Sequence, residues 1–409
     1  NLLARDGLWR LPRIRGVLSC PTLRPDGSIL SDEGFDRDTG FLLFGAPHLE
    51  SIPAKPTKSE AVAALALLKG LLKEFAFADD GETNSAAINQ SVALSTLITP
   101  VVRGYMPTAP LHVVSAHTPG SGKSYLVDLA SALLTGDVAA VTGHGWDGRE
   151  FENRLNARLL DGAPHVAIDN VNGALNGEML AKSVSQGMIK VRPLHTSESV
   201  LVSNNFFFTA TGNNIAVAED MVRRSVICNL DPAEERPEYR KFSASPLHTI
   251  QKDRANYIRA ALVVVKAWLS SGETVEITRL AGFERWSESV QSALVWLGEA
   301  DPLLSQDTLR NEDPVTEPYG GLLKVWDRDY GDEWLSANDV LNFCKDQEGT
   351  ALASAMRDFL GSAPTDPLPG SRGLGKMLAK WKGRRVGNLK LMALKKGDGI
   401  WRYSVKKVA

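Results

Sequence analysis

Apolar positions change period along this chain, and each change predicts a different kind of element. Residues 1–52 alternate the short runs VLS, SIL and FLLF with the turn signals Pro25-Asp26-Gly27 and Asp38-Thr39-Gly40, which predicts a small β-rich segment. Pro53 and Pro56 punctuate, and residues 53–110 then form a helical region: helical spacing runs through KSEAVAALALLKGLLKEFAFA (58–78), and a second helix is expected over 84–104. From Leu111 short apolar strands alternate with helices: LHVVS, KSYLVDLASALL, AAVTG, GREFENRLNARLL, HVAID. That βαβ rhythm predicts a parallel α/β core over residues 111–245. Residues 246–330 read as a helical extension and linker, with the Pro-rich, acidic stretch 301–318 as loop. In residues 331–409, Ser336 caps a helix beginning SANDVLNFCK, ALASAMRDFL and GLGKMLAKW follow as helices, and LKLMALKK and IWRYSVKK alternate with period two around Gly397-Asp398-Gly399. Helices followed by a hairpin predict a winged helix.

Composition supports two or three folded domains: 409 residues, 43% hydrophobic and 23% charged, exclude a disordered chain. Cys20, Cys228 and Cys344 are too few and too far apart for a disulfide framework or paired zinc ligands, so a reducing, cytoplasmic setting is expected. The richest apolar run, Ala260 to Leu269, is broken by Lys266, which predicts no membrane span. The chain begins at Asn1 without a signal peptide, as expected for a piece of a longer protein. The net charge of −2 hides a split. Residues 371–409 hold 12 Lys+Arg and one acid, net +11, leaving 34 basic and 47 acidic residues, net −13, elsewhere. Such a basic end points to an anionic partner, nucleic acid before membrane.

The strongest local signal is HTPGSGKS, residues 117–124, after the strand LHVVS and opening an amphipathic helix. Gly120 and Gly122 let backbone N–H groups surround phosphates, with Pro119, Ser121 and Tyr125 completing the cradle, and the helix N-terminus adds a favourable dipole. Lys123 reaches the β- and γ-phosphates of ATP, and Ser124 holds Mg²⁺. His117 stands where GxxxxGK[ST] has its first glycine. HVAIDN supplies the acidic partner, Asp169, for Mg²⁺; Asn170 follows where many ATPases place a glutamate base. Glu150 and Glu152 on the preceding helix are the base candidates, the alternative being a solvated helix face.

QGMIKVRPLHTSESVLVSN (186–204) reads as strand, polar tip, strand, and FFFTATGNN (206–214) as a buried strand ending in Asn213 and Asn214. Asn213 is placed to hold a water against the γ-phosphate; a plain Asn-Asn turn is the alternative. DMVRRSVICNL (220–230) sets Arg223 and Arg224 before another strand, for a neighbouring subunit's γ-phosphate or for an intrasubunit salt bridge.

The order HTPGSGKS, HVAIDN, a basic hairpin, TATGNN and DMVRR resembles AAA+ helicases of the superfamily 3 type, above all the self-loading replicative helicases, or primase-helicases, of phages, plasmids and mobile elements. FERWSESVQSALVWLGEADP and LGKMLAKWKGRRVGN are similar to that group as well. The resemblance implies a P-loop ATPase core in an α/β chain, with Lys123 and Ser124 as Walker A, Asp169 as Walker B, Asn213 as sensor 1 and Arg223 or Arg224 as arginine finger. It also implies a hexameric ring that unwinds DNA during replication in a bacterial or phage-infected cell, and a hairpin that grips single-stranded DNA in the central channel. Lys190, Arg192 and His195 are the gripping candidates, since cations at a hairpin tip track phosphates without reading bases. In the basic end, Arg372, Lys376, Lys380, Arg384 and Arg385 sit on or just after the third helix, as duplex- or fork-binding candidates. The bland alternative makes the tryptophans a core and the lysines mere solubilisers. A non-unwinding AAA+ initiator, loader or transposition regulator is the competing function, and a structural DNA-binding module with a degenerate nucleotide site a third.

Overall fold

The computed structural model describes residues 12–81, 84–145, 147–171, 173–194, 196–232, 244–311, 313, 316–346, 351–362, 366–397 and 399–408. It divides into two compact units, 1–309 and 310–409. No helix among the described residues is long and apolar enough to cross a membrane.

The first unit opens with short strands, β1 (Gly16–Leu18), β2 (Thr22–Leu23), β3 (Ile29–Leu30), β4 (Gly34–Phe35) and β5 (Phe41–Leu43). Helix α1 (Lys58–Leu71) starts at a capping box, Thr57 and Glu60 bonding each other's backbone N–H groups. It ends seven residues before the pattern predicts. Phe77 instead bridges to Leu230, and Ala78 N donates to Asn229 O, so this stretch covers a sheet edge. Helix α2 (Ala86–Val101) is buried all round and packs behind the sheet.

The core is a parallel sheet of β6 (Leu111–Ala116), β7 (Val141–Gly143), β8 (His165–Asp169), β12 (Phe207–Asn213) and β14 (Ser225–Leu230), in the spatial order β14-β6-β12-β8-β7. Helices α3 (Lys123–Thr135) and α4 (Gly148–Asp161) connect the strands. The decisive feature is that β12 lies between β6 and β8. The loop after β6, the acid ending β8 and the asparagine ending β12 thereby share one carboxyl edge, where open α/β sheets bind ligands. The remaining elements of this region are β9 (Ala174–Leu175), α5 (Glu178–Ser185), the antiparallel hairpin β10 (Met188–Val191) and β11 (Val200–Ser203), and β13 (Ala216–Val217).

Helices α6 (Pro246–Lys252) and α7 (Arg254–Ser271) follow, then α8 (Glu284–Trp286) and α9 (Ser292–Trp296) joined by the π-helical turn Ser287–Gln291. The stretch expected to be loop contains α10 (Ser305–Asn311). Pro302 begins a helical turn there rather than ending one, Asp301 accepting from Leu303 N, and Leu309 enters the core.

The second unit has its own core around Tyr319, Trp326, Leu374, Leu378, Trp381 and Tyr403. Helix α11 (Thr316–Tyr330), which the pattern assigns to the preceding extension and linker, packs here, the Tyr319 ring lying tilted against Trp381. Then come β15 (Leu335–Ser336), α12 (Ala337–Asp346), α13 (Ala351–Leu360), α14 (Ser371–Trp381), β16 (Arg385–Val386), β17 (Leu389–Lys395) and β18 (Trp401–Lys407), the strands forming an antiparallel sheet β15-β18-β17-β16.

Candidate functional site: a phosphate loop facing an acid and an asparagine

Gly120 and Gly122 adopt φ of +72° and +95°, a region closed to most side chains, and this lets the loop turn tightly into α3. Gly122 is the N-cap of α3, so the free N–H groups of the first turn face the loop. Burial lowers the Lys123 pKa from the usual lysine value, and the nearby Asp169 carboxylate opposes that shift. Lys123 Nζ donates to Thr118 O and to Ser121 Oγ, 2.9 Å each. Ser124 Oγ lies 3.5 Å from Asp169 Oδ1, and Thr211 Oγ1 donates to the same oxygen.

Pro119, Gly120, Ser121, Gly122, Lys123, Ser124 and Tyr125 line one cavity of about 840 Å³, and Asp169, Asn170, Thr211, Gly212 and Asn213 face them across it. Gly212 is required by close approach: a Cβ there would meet Val171 O and Ile215 Cγ1 at 2.8 Å. Asn170, next after Asp169, takes a left-handed φ of +52°. Tyr125 stacks on Phe75 and accepts a hydrogen bond from Leu247 N, joining α3 to α6. The donor set suits Mg²⁺. One serine hydroxyl and one carboxylate oxygen 3.5 Å apart approach the spacing of adjacent ligands at ~2.1 Å in an octahedron, whose other positions phosphate oxygens and water would fill. No group of three or more His, Cys, Asp or Glu gathers as a metal cage among the described residues.

Other candidates lie elsewhere. Glu150 forms an i, i+4 pair with Arg154 and does not line this cavity. Glu152 faces a different cavity, with His144 and Phe151. Asp220 holds both arginines of the finger region: Arg224 bonds Oδ2 through Nε (3.0 Å) and Nη2 (2.6 Å), while Arg223 reaches Oδ1 through Nε alone. The Arg224 side chain is 18% exposed and that of Arg223 70%.

On the hairpin, Lys190 is exposed on β10, and exposed Arg192 donates to Thr196 O across the tip. His195 lies outside the described residues. Buried Arg103 donates to Phe206 O and Asn204 O, and Asn204 Nδ2 donates to Ser183 O and Gln186 O, pinning the hairpin base to the sheet and α5. In the second unit Arg372, Lys376 and Lys380 are exposed at helical spacing on α14, opposite buried Leu374 and Leu378. Arg384 lies over the Trp381 ring and Lys382 over that of Trp401. Exposed Arg385 follows on β16. Trp381 is core, whereas Trp401 is 43% exposed.

Thr211 and Asp220 escape sequence reasoning. Thr211 has a signal in hindsight, standing two residues before Asn213 and so on the same strand face. Asp220 precedes Arg223 and Arg224 at the i+3 and i+4 ion-pair spacings.

No protein-family model and no curated protein matches the chain. Among solved structures, the apo A form of the NrS-1 C-terminal region (305–718) is similar over 90% of this chain and 80% of that one, at 13% identity and a TM-score of 0.43. A second A-form apo structure of that region aligns at 13% identity and a TM-score of 0.39, over 94% and 83% of the two chains. JCV helicase with a thiazolopyridine ligand aligns at 10% identity and a TM-score of 0.25, over 76% of this chain and 74% of that one.

Proposed function

We propose that the chain is the motor of an ATP- and Mg²⁺-dependent DNA helicase of the AAA+ type, working as a hexameric ring during replication of a phage or mobile element. The observation that carries the reading is the convergence of Lys123, Ser124, Asp169 and Asn213 on one cavity from three neighbouring parallel strands. In that cavity the loop N–H groups and Lys123 hold the phosphates, and Ser124 and Asp169 hold the metal. Mg²⁺ bound there would neutralise phosphate oxygens and the charge that develops on the leaving group. Thr211 fixes the Asp169 carboxylate by donating to Oδ1, the oxygen that also lies nearest Ser124 Oγ. Asn213 orients the attacking water. Arg223, exposed and held by one contact, serves as the finger toward a neighbouring subunit, and Arg224 locks Asp220 in place.

The hairpin carrying Lys190 and Arg192 grips single-stranded DNA, its base anchored through Arg103 and Asn204 to β12, whose far end carries Asn213. The second unit is a winged helix: helix, strand, helices and hairpin in that order, with β15 paired to β18 and β18 to β17. Its α14 offers Arg372, Lys376 and Lys380 to duplex or fork DNA, with Arg384 and Arg385 beside them.

The test is ATP turnover with and without single-stranded DNA. The parent is expected to hydrolyse ATP faster with DNA, and Lys123→Ala to lose turnover by about 10³-fold while melting at the parent's temperature. Unchanged turnover in Lys123→Ala would refute the site.

A further inference from the structure

We propose that His117, which stands where such a loop usually opens with glycine, is a positioning residue that aims Asn213 by holding its neighbour Asn214. This role presupposes hydrolysis at the Lys123 cavity, as proposed above. Three contacts stitch the end of β6 to the end of β12. Ser115 Oγ accepts from Ile215 N at 3.2 Å, Ala116 O accepts from Asn214 N at 3.1 Å, and His117 Nδ1 lies 2.7 Å from Asn214 Oδ1. The amide oxygen carries no proton, so the ring nitrogen donates. Two of these contacts end on backbone or on Ser115; only the third depends on the side chain at 117.

Asn214 has φ +49°, so the chain reverses sharply just after Asn213. Asn213 is exposed at the strand end, where its aim depends on how that reversal is held. Glycine is not needed at 117 for conformation, because His117 is absent from the left-handed residues. Its side chain is exposed and does not line the cavity, so it acts through Asn214 rather than on the phosphates. The histidine therefore ties the first residue of the phosphate loop to the water-holding strand, and the two move as one piece.

The test compares variants by steady-state hydrolysis. His117→Ala and His117→Gly are expected to lower kcat about fivefold, the worth of one partly exposed hydrogen bond, with KM for ATP unchanged. His117→Asn should restore kcat, because its Nδ2 sits at the same bond distance from Cβ as the ring Nδ1. His117→Gln, whose donor sits one bond further out, should not. Asn214→Gly keeps the left-handed backbone, removes the acceptor and should match His117→Ala, and the double variant should lose no more than either single one. Rescue by Gln but not Asn would show that the ring acts through Nε2, and additive losses would show that the two residues act separately; either overturns the role. Parent-like kcat in His117→Ala beside an inactive Lys123→Ala overturns it while sparing the hydrolysis reading. An active Lys123→Ala removes both.

Discussion

Asp220 decides how two adjacent arginines divide their work. Two bonds and partial burial commit Arg224 to the chain's own structure, while Arg223 is free to turn outward by breaking a single exposed contact. Arg223→Ala is expected to lower turnover by about 10³-fold with ATP binding retained, the effect of losing a finger supplied in trans. Arg224→Ala should lower stability by about 1 kcal/mol and spare most of the turnover. Nucleotide binding and hydrolysis measured on both variants check this, and normal hydrolysis in Arg223→Ala would exclude it as the finger. At this scale the strand–loop–helix turn of residues 117–124 was legible because its residues are contiguous and carry Gly120 and Gly122. Asp169 and Asn213 were legible as polar ends of apolar strands. Thr211 was not, because its contact with Asp169 exists only once β12 is known to pair with β8.

Among the elements, the sheet carries two buried histidines, His112 on β6 and His165 on β8, both packed against Phe207 on β12. Burial pushes each down to about 3, and the Arg158 charge adds to the shift of His165. Half-buried His144 shifts in the same direction. Between the ordinary value of 6.5 and about 3 the unfolded chain binds protons that the folded chain refuses, so stability falls as pH falls through that window. From pH 7 to pH 5 each fully buried histidine is expected to cost about 2 kcal/mol. Urea midpoints at the two pH values check this: His165→Gln should show a smaller drop than the parent, and an equal drop would rule out His165 as a source. Raised carboxyls such as Asp128 and Asp301, lifted by burial, act in the opposite sense. The alternation of strands and helices revealed the sheet. It did not show that residues 76–78 turn to cover β14, where tertiary contacts override local pattern, nor that Pro302 starts a helical turn, which a local cap from Asp301 to Leu303 N sets up.

For the whole molecule, the charge split falls inside the second unit: its residues 310–370 hold 5 Lys+Arg and 12 Asp+Glu, net −7, against the net +11 of residues 371–409. The basic end is built as an exposed face, Arg372, Lys376 and Lys380 projecting from α14 opposite its buried side. Replacing all three with alanine is expected to weaken duplex binding and to reduce the slope of log affinity against log salt by about 2–3, leaving ATP turnover unchanged. Salt titrations of DNA binding check it; an unchanged slope would mean these residues only solubilise. The second unit begins at residue 310 rather than 331, a boundary hidden from the sequence because Tyr319 and Trp326 join the second core through contacts with residues far along the chain. The account as a whole stands or falls on strand displacement from a forked DNA duplex. With ATP and Mg²⁺ the parent is expected to release the strand, whereas Lys123→Ala and the parent with a slowly hydrolysed ATP analogue should not. A parent that hydrolyses ATP well, with DNA stimulation, yet never displaces the strand would contradict the helicase assignment and point to a non-unwinding regulator.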